Sequence, residues 1–534
     1  MANARPSAHR VVVVGAGIGG LCSALLLAAR GLSVTLVEAA PTPGGKMRRL
    51  SVDGADIDAG PTVFTMRWVF DQILAEAGTT LESLVQLRKL DVLARHAWRG
   101  HADTLDLHAD PARSAEAIGR FSSPAEARRY LAFCAESARV YRCLEGPHIR
   151  SGRPSLVQMI KDLGGPGLST LSALGPLASL WQSLGRHFHD PRLRQLFARY
   201  ATYCGASPWQ APATLMLVAH VEQAGVWSID GGLHNFAQRL SSLAEARGCT
   251  LRYGRACERI EVTGGRVTGV ELQGGERIGC DAVVFNGDTD ALAQGLLGTP
   301  VQAALHRGAR RPLAPRARSL SALTWAVHAS TDGFELARHN VFFDTDYASE
   351  FDDVFRQRRL PRRGTVYVCA QDRQGAAPAP TKGRRERLLC LVNAPADGDC
   401  RSFDDEETLR CETRSLALLQ DCGLQLRIDH PRQVQRCSPA DFARLYPGSG
   451  GALYGPATHG WMALFKRNSA ASKLPGLYLA GGSVHPGPGV PMAAMSGRLA
   501  AATLLAHLDS TSRSQRVRIS GGMSMRSATM AATR

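Results

Sequence analysis

Lysine is scarce in this chain. Only Lys46, Lys89, Lys161, Lys382, Lys466 and Lys473 contribute to a combined 63 lysines and arginines. No two of the 13 cysteines stand in a C-x-x-C arrangement. This excludes a zinc ribbon and a disulfide scaffold, and it fits a reduced cytoplasm. No basic segment is interleaved with aromatics, so the net charge of +16 does not point to nucleic acid. It permits an anionic partner such as a lipid surface. There is no internal repeat, and no set of residues with metal-ligand spacing. Against these absences stand 534 residues of which 44% are hydrophobic. That is material for a large core and about three or four domain equivalents, which excludes global disorder.

A long uncharged apolar run, Val11 to Ala29 behind His9-Arg10, has the length of a membrane helix and mimics a signal peptide. Gly15, Gly17, Gly19 and Gly20 inside it argue for strand, tight turn and helix instead. Val11–Val14 are β-branched, and Leu21–Arg30 are helix formers closed by Gly31. A second strand, Ser33–Val37, ends in Glu38. Gly15-Ala16-Gly17-Ile18-Gly19-Gly20 is therefore a G-x-G-x-x-G turn between a strand and a helix. Gly15 allows the turn, Gly17 lets a pyrophosphate touch the backbone, and Gly20 lets the helix pack against the sheet. The phosphate would rest on the free N–H groups of the helix start. Glu38, 18 residues beyond Gly20, is placed to accept both ribose hydroxyls. The spacing predicts adenine dinucleotide binding; the alternative is a glycine-rich turn with no ligand.

Two further turns follow. Pro43-Gly44-Gly45-Lys46-Met47-Arg48 is not a Walker A loop, since Ala40 stands at its first glycine and Met47 at its Ser/Thr. Asp58-Ala59-Gly60-Pro61-Thr62 comes next. Together they offer a second phosphate contact through Gly44, Gly45, Lys46 and Arg48, then small residues beside a flat ring. In this order the motifs resemble the flavin-containing amine oxidase and phytoene desaturase superfamily, in which they bind FAD. The resemblance implies an α/β fold, a Rossmann-like FAD-binding domain with an inserted mixed α+β substrate domain and a helical membrane-associated region. It carries a backbone contact with adenine onto Cys257, in strands broken by Gly264-Gly265. It also places Gly481, Gly482, Val490 and Met492 against the flavin, where strand, glycine turn and helix (about 494–508) present a positive helix start.

The dinucleotide domain is expected in three pieces, 10–70, 228–290 and 470–508. The intervening 71–227 reads as a helical substrate and membrane region. The segment 291–469 reads as a mixed α+β substrate domain, with strand-like runs at 320–328, 341–344, 365–370 and 387–393. Residues 509–534 read as a disordered tail. Longer stretches are similar to bacterial carotenoid desaturases, among them 190–194, 203–213, 225–232 and Asn340-Val341-Phe342-Phe343. Gly460-Trp461-Met462 and Gly481 to Arg498 resemble most the carotenoid 3,4-desaturases of purple photosynthetic bacteria. These act on 1-hydroxy- or methoxyneurosporene. The implied reaction removes two hydrogens from neighbouring sp³ carbons beside a polyene. FAD takes a hydride, a base or water takes a proton, and oxygen or a quinone is the final acceptor. The protein supplies alignment and exclusion of water. A phytoene desaturase acting earlier, and a flavin-free prenyl-binding escort protein, are the competing readings.

His485 is the candidate polar group near the flavin, with a turn-stabilising role as its alternative; His187 and His189 read as structural. An acyclic carotenoid must come from a membrane, so a peripheral association with the inner or photosynthetic membrane is expected. Leu163–Gly185, 23 residues without a charge, is its candidate anchor or else an ordinary core helix. Arg clusters at 307–318, 356–363 and 384–387 are candidate headgroup contacts.

Overall fold

In the computed structural model, the described residues are 9–152, 156–175, 177–306, 311–373 and 383–520. The apolar run at the N-terminus becomes strand Arg10–Val14 and helix Ile18–Ala29, followed by strand Ser33–Val37. Val11–Val13 are buried on both faces, as an inner parallel strand requires. They pair with Ser33–Val37 on one side and Ala282–Phe285 on the other, all parallel. Leu477–Leu479 and Thr250–Arg252 complete a five-stranded parallel sheet. Segments far apart in the chain thus build one sheet. The strand Cys257–Thr263 turns back into Arg266–Leu272 through Gly264 and Gly265, whose φ of +59° and +76° suit a two-residue hairpin.

The helix Ile18–Ala29 is covered by the closing helix Val490–Ser520. Ser23 Oγ donates to Gly19 O and bridges to Gly497 O. The closing helix runs past 509, so residues 509–520 are helical rather than part of the tail expected from composition; 521–534 lie outside the described residues.

The second layer is a mixed sheet built on Ser321–Gly333, His339–Phe343, Val366–Ala370 and Glu386–Ala394. The first insertion is not uniformly helical. It contributes Val92–Trp98 and Leu105–His108 to this same sheet, with Val92–Trp98 parallel to His339–Phe343. One sheet face, with Val341, Phe343 and Trp98, packs on the helical layer that holds Phe133, Phe188 and Phe197. The other, with Phe342, Val366 and Val368, packs on Leu418 and Leu419 of helix Asp405–Asp421. Gln371 fixes the sheet to the dinucleotide layer, since its side-chain amide pairs with both the N–H and the C=O of Asp58.

Within the uncharged stretch 163–185, Leu174, Leu180 and Leu184 are core residues, and Trp181 packs against the same cluster. Leu177 is 82% exposed and Val157, just upstream, 63% exposed. Among the described residues no helix is long and apolar enough to cross a membrane.

The crossing of the first and closing helices leaves no room for a side chain. A Cβ on Gly497 would lie 2.1 Å from the backbone oxygen of Gly19. Gly497→Ala should therefore separate the helices and cost about 1–3 kcal/mol, read as a lowered Tm in thermal unfolding of the purified protein.

Candidate functional site

The site forms where bare backbone segments meet at the carboxyl ends of the parallel strands. Gly15 has φ +100°, and Gly17 caps the helix start without a side chain. A Cβ on Gly20 would sit 2.0 Å from Gly15 O, so helix and turn can close only on glycine. The second glycine turn lies on the first: Gly44 N donates to Ala16 O at 2.9 Å, and a Cβ on Gly45 would meet Gly17 Cα at 3.2 Å. The third turn follows it as closely, because a Cβ on Gly60 would lie 1.8 Å from Lys46 O. Pro61 and Thr62 continue this turn half-buried. The three loops nominated from the sequence therefore form one cradle.

Glu38 is held beside it. Its carboxylate accepts from Ala16 N at 2.6 Å and Ala40 N at 2.8 Å, leaving lone pairs for further donors. Arg255 N donates to Glu38 O, which brings Cys257 to the same end of the sheet. Arg48 ends the second turn with its guanidinium over the Phe442 ring, 5.4 Å from the centroid, its Nε and one terminal nitrogen buried and without hydrogen-bond partners. A guanidinium left so incomplete fits an anionic group. Lys46 instead turns its Nζ onto Leu453 O at 2.6 Å, and burial pushes its pKa down. Its backbone stays in the turn, but its ammonium does not face the first glycine loop.

On the other side, Gly481 has φ +108°. Its N–H donates to Ser496 Oγ at 2.7 Å, which ties the turn to the closing helix. Val490 is buried and Met492 half-buried at the start of that helix.

Sequence reasoning did not single out three residues here. Asn286 projects into the cradle with Oδ1 buried and without a partner, its Nδ2 donating to Gly15 O. Arg467 is buried and donates to the carbonyls of Tyr454, Gly482 and Pro456; burial lowers its pKa to about 10. It locks the 454–458 segment to the second glycine of the Gly481-Gly482 pair. His148 packs edge-on against His485 with ring centroids 4.8 Å apart. Neither contact had a local signal.

His485 is buried, and its ring Nε2 lies 2.8 Å from Ser151 O. Burial lowers its pKa to about 4, so at neutral pH the imidazole is uncharged and Nε2 carries the proton that Ser151 O accepts. This ring ties the loop after Gly482 to residues 148–151. His187 and His189 sit elsewhere, in the helical layer; His187 Nε2 is 3.4 Å from Glu136. The Arg clusters are largely paired. Arg318 is bidentate on Asp399, Arg359 and Arg362 share Asp353, Arg358 meets Asp397, and Arg387 meets Asp372. Residues 307–310 of the first cluster lie outside the described residues.

The profile of the flavin containing amine oxidoreductases matches residues 18–505. The chain belongs to this family. As a flavin containing amine oxidoreductase it uses FAD, and the cradle fits that group: glycines where the phosphates approach, a carboxylate for ribose and an incomplete guanidinium. Among its relatives, the hydroxyneurosporene desaturase of Rubrivivax gelatinosus is 67% identical over 98% of both chains. That of Cereibacter sphaeroides is 43% identical over 94% of this chain and 99% of its own. In fold, this flavin containing oxidoreductase is similar to an oxidoreductase from Methanosarcina mazei, at TM-score 0.57 and 16% identity, covering 92% of this chain and 99% of that one.

A Cβ on Gly17 would meet only the movable amide Nδ2 of Asn286, at 2.8 Å. Gly17→Val should therefore fold but close the approach to the backbone. The expected product is a soluble, colourless protein with native-like far-UV circular dichroism and little bound flavin by absorbance at the flavin band.

Proposed function

We propose that this chain is an FAD-dependent carotenoid desaturase that introduces the 3,4 double bond of 1-hydroxyneurosporene or its methoxy counterpart. The observation that carries this reading is the 67% identity to a hydroxyneurosporene desaturase over 98% of both chains. The intact glycine cradle agrees with it. When bound, FAD supplies the hydride acceptor for a desaturation beside a polyene.

The roles of the chain's own residues in this reading are as follows. Gly15, Ala16, Gly17, Gly19 and Gly20 leave the helix start open to a pyrophosphate, with Gly44, Gly45 and Arg48 closing over it. Glu38 takes ribose hydroxyls, and the backbone at Cys257 reaches adenine. Gly60, Pro61 and Thr62 on one side, and Gly481, Gly482, Val490 and Met492 on the other, border the flavin ring. Lys46 and Arg467 brace the surrounding loops through carbonyls. His485, with one nitrogen committed to Ser151, serves as a positioning residue, while its Nδ1 has no partner. Oxygen or a quinone takes the electrons afterwards.

The reading is tested by turnover of purified, FAD-loaded protein on defined carotenoids. An unpaired buried hydroxyl costs roughly 1–3 kcal/mol. A site made for the 1-hydroxyl should therefore give kcat/KM for 1-hydroxyneurosporene roughly tenfold or more above that for neurosporene. Conversion of phytoene instead would assign the earlier step of the pathway.

The substrate's insolubility calls for contact with a membrane surface. The exposed Val157 and Leu177 support such a contact, whereas the paired arginines leave little free charge for it. Binding to vesicles should thus persist at high salt, where exposed charges more than about 3 Å apart are screened at 1 M. Val157→Asp with Leu177→Asp should abolish co-sedimentation with anionic vesicles while bound flavin is unchanged. Retained sedimentation would place the contact elsewhere.

A further inference from the structure

A 1-hydroxylated carotenoid is apolar except at one end, and its oxygen lies only three bonds from C3. A protein group that reads this oxygen must therefore stand beside the turn that borders the flavin, not at a remote tunnel end. This consequence rests on the proposed desaturase function. It narrows the search to polar side chains joined to the Gly60-Pro61-Thr62 turn.

One such chain of contacts is present. Thr62 Oγ1 lies 2.6 Å from Tyr367 OH, and the same phenol lies 2.6 Å from Nδ1 of His339. His339 is buried, and its Nε2 has no hydrogen-bond partner. Its strand position puts it on the face of Val341, opposite which Tyr367 and His96 stand in register. That face is the one turned to the helical layer. The dinucleotide layer, the mixed sheet and the helical layer thus meet at Thr62, Tyr367 and His339. We infer that His339 is the residue that recognises the oxygen on C1 of the substrate, through its unpartnered Nε2.

The direction of the contact follows from acid and base strength. A phenol is the better proton donor and a neutral imidazole nitrogen the better acceptor. Tyr367 therefore donates to Nδ1 and accepts from the Thr62 hydroxyl, which fixes the proton on Nε2. Burial, with Arg338 and Arg199 nearby, lowers the His339 pKa to about 3, so the ring stays neutral. A neutral Nε2–H donor accommodates a hydroxyl and a methoxyl oxygen alike. His96, on the same face, differs: its Nδ1 donates to Leu105 O at 3.0 Å, which leaves an acceptor at Nε2 and no link to Thr62. Arg199, also near, has its guanidinium beside Glu222 and over the Tyr203 ring, 5.0 Å from the centroid.

The test measures kcat and KM separately for full-length, FAD-loaded wild type, His339→Leu, His339→Gln and Tyr367→Phe, on 1-hydroxyneurosporene, 1-methoxyneurosporene and neurosporene. Wild type should prefer both oxygenated chains and treat them within about threefold of each other, since each accepts one hydrogen bond. His339→Leu should bring the three substrates to similar kcat/KM by raising KM for the oxygenated pair more than for neurosporene. His339→Gln, which keeps an N–H, should restore much of the preference. Tyr367→Phe removes the donor to Nδ1 and lets the other tautomer form, so methoxyneurosporene should fall behind hydroxyneurosporene. An unaltered preference in His339→Leu, or an equal loss on all three substrates at full flavin content, would overturn the assignment. A wild type that discriminates sharply against the methoxyl would overturn the donor. If His339→Leu fails to retain flavin, the glutamine and Tyr367→Phe profiles decide. Wild type that desaturates none of the three refutes the desaturase reading itself; equal use of all three refutes only the role of His339.

Discussion

The structure depends on the approach of bare backbone to bare backbone. Gly20 against Gly15, Gly60 against Lys46 and Gly497 against Gly19 leave no space for a Cβ, and Gly45 against Gly17 leaves little. The parallel sheet could form with other residues in these turns, because its strands need only an apolar sequence. The cradle could not. Its floor is the first helix start, its near wall the second and third turns, and its far wall the loop and helix that close the chain. Each wall is held at the distance of a hydrogen-bonded main chain, which is how the peptide N–H groups become available to a phosphate.

Around this cradle the polar side chains divide into two kinds. Some complete the scaffold. Gln371 pairs with both backbone groups of Asp58, Ser496 takes the N–H of Gly481, and Arg467 gathers three carbonyls. Their polar atoms find partners within the chain. Others are left incomplete in buried places: Arg48, Asn286, His148 and His339. Buried polar groups are normally satisfied, though unpartnered atoms also occur away from the cradle, as at Ser137 and Gln433. Asn286 lies among Gly17, Gly19 and Gly20 of the first glycine loop. His339 lies across the Thr62 turn on the sheet face turned to the helical layer.

What could be read from the sequence was what short-range chemistry determines. Strand Ser33–Val37 and the hairpin at Gly264-Gly265 rest on alternation and positive-φ glycines, both within a few residues. The glycine loops were legible for the same reason, although that Gly45 covers Gly17 was not. Strand Val92–Trp98 was missed inside a segment read as helical, because its burial comes from pairing with His339–Phe343, far along the chain. The Thr62–Tyr367–His339 contacts are set by the register between strands and by a turn 305 residues before Tyr367. Nothing near any of the three announces the others. The uncharged stretch 163–185 was ambiguous in composition, and packing resolved most of it into core, with Leu177 left outside.

The bridge from Ser23 Oγ to Gly497 O spans 474 residues, and it has a bearing on biosynthesis. The first helix leaves the ribosome with its glycine face uncovered, and the strand Leu477–Leu479 that edges the sheet is the last of its five strands to be made. Synthesis runs at about 5–20 residues per second. For tens of seconds the nascent chain therefore holds the first half of a nucleotide site without the half that closes it. The cradle closes only once the Gly481 loop and the closing helix have been made. A truncation just upstream of Gly481 leaves a polypeptide with most of its core but without the loop and helix that close the cradle.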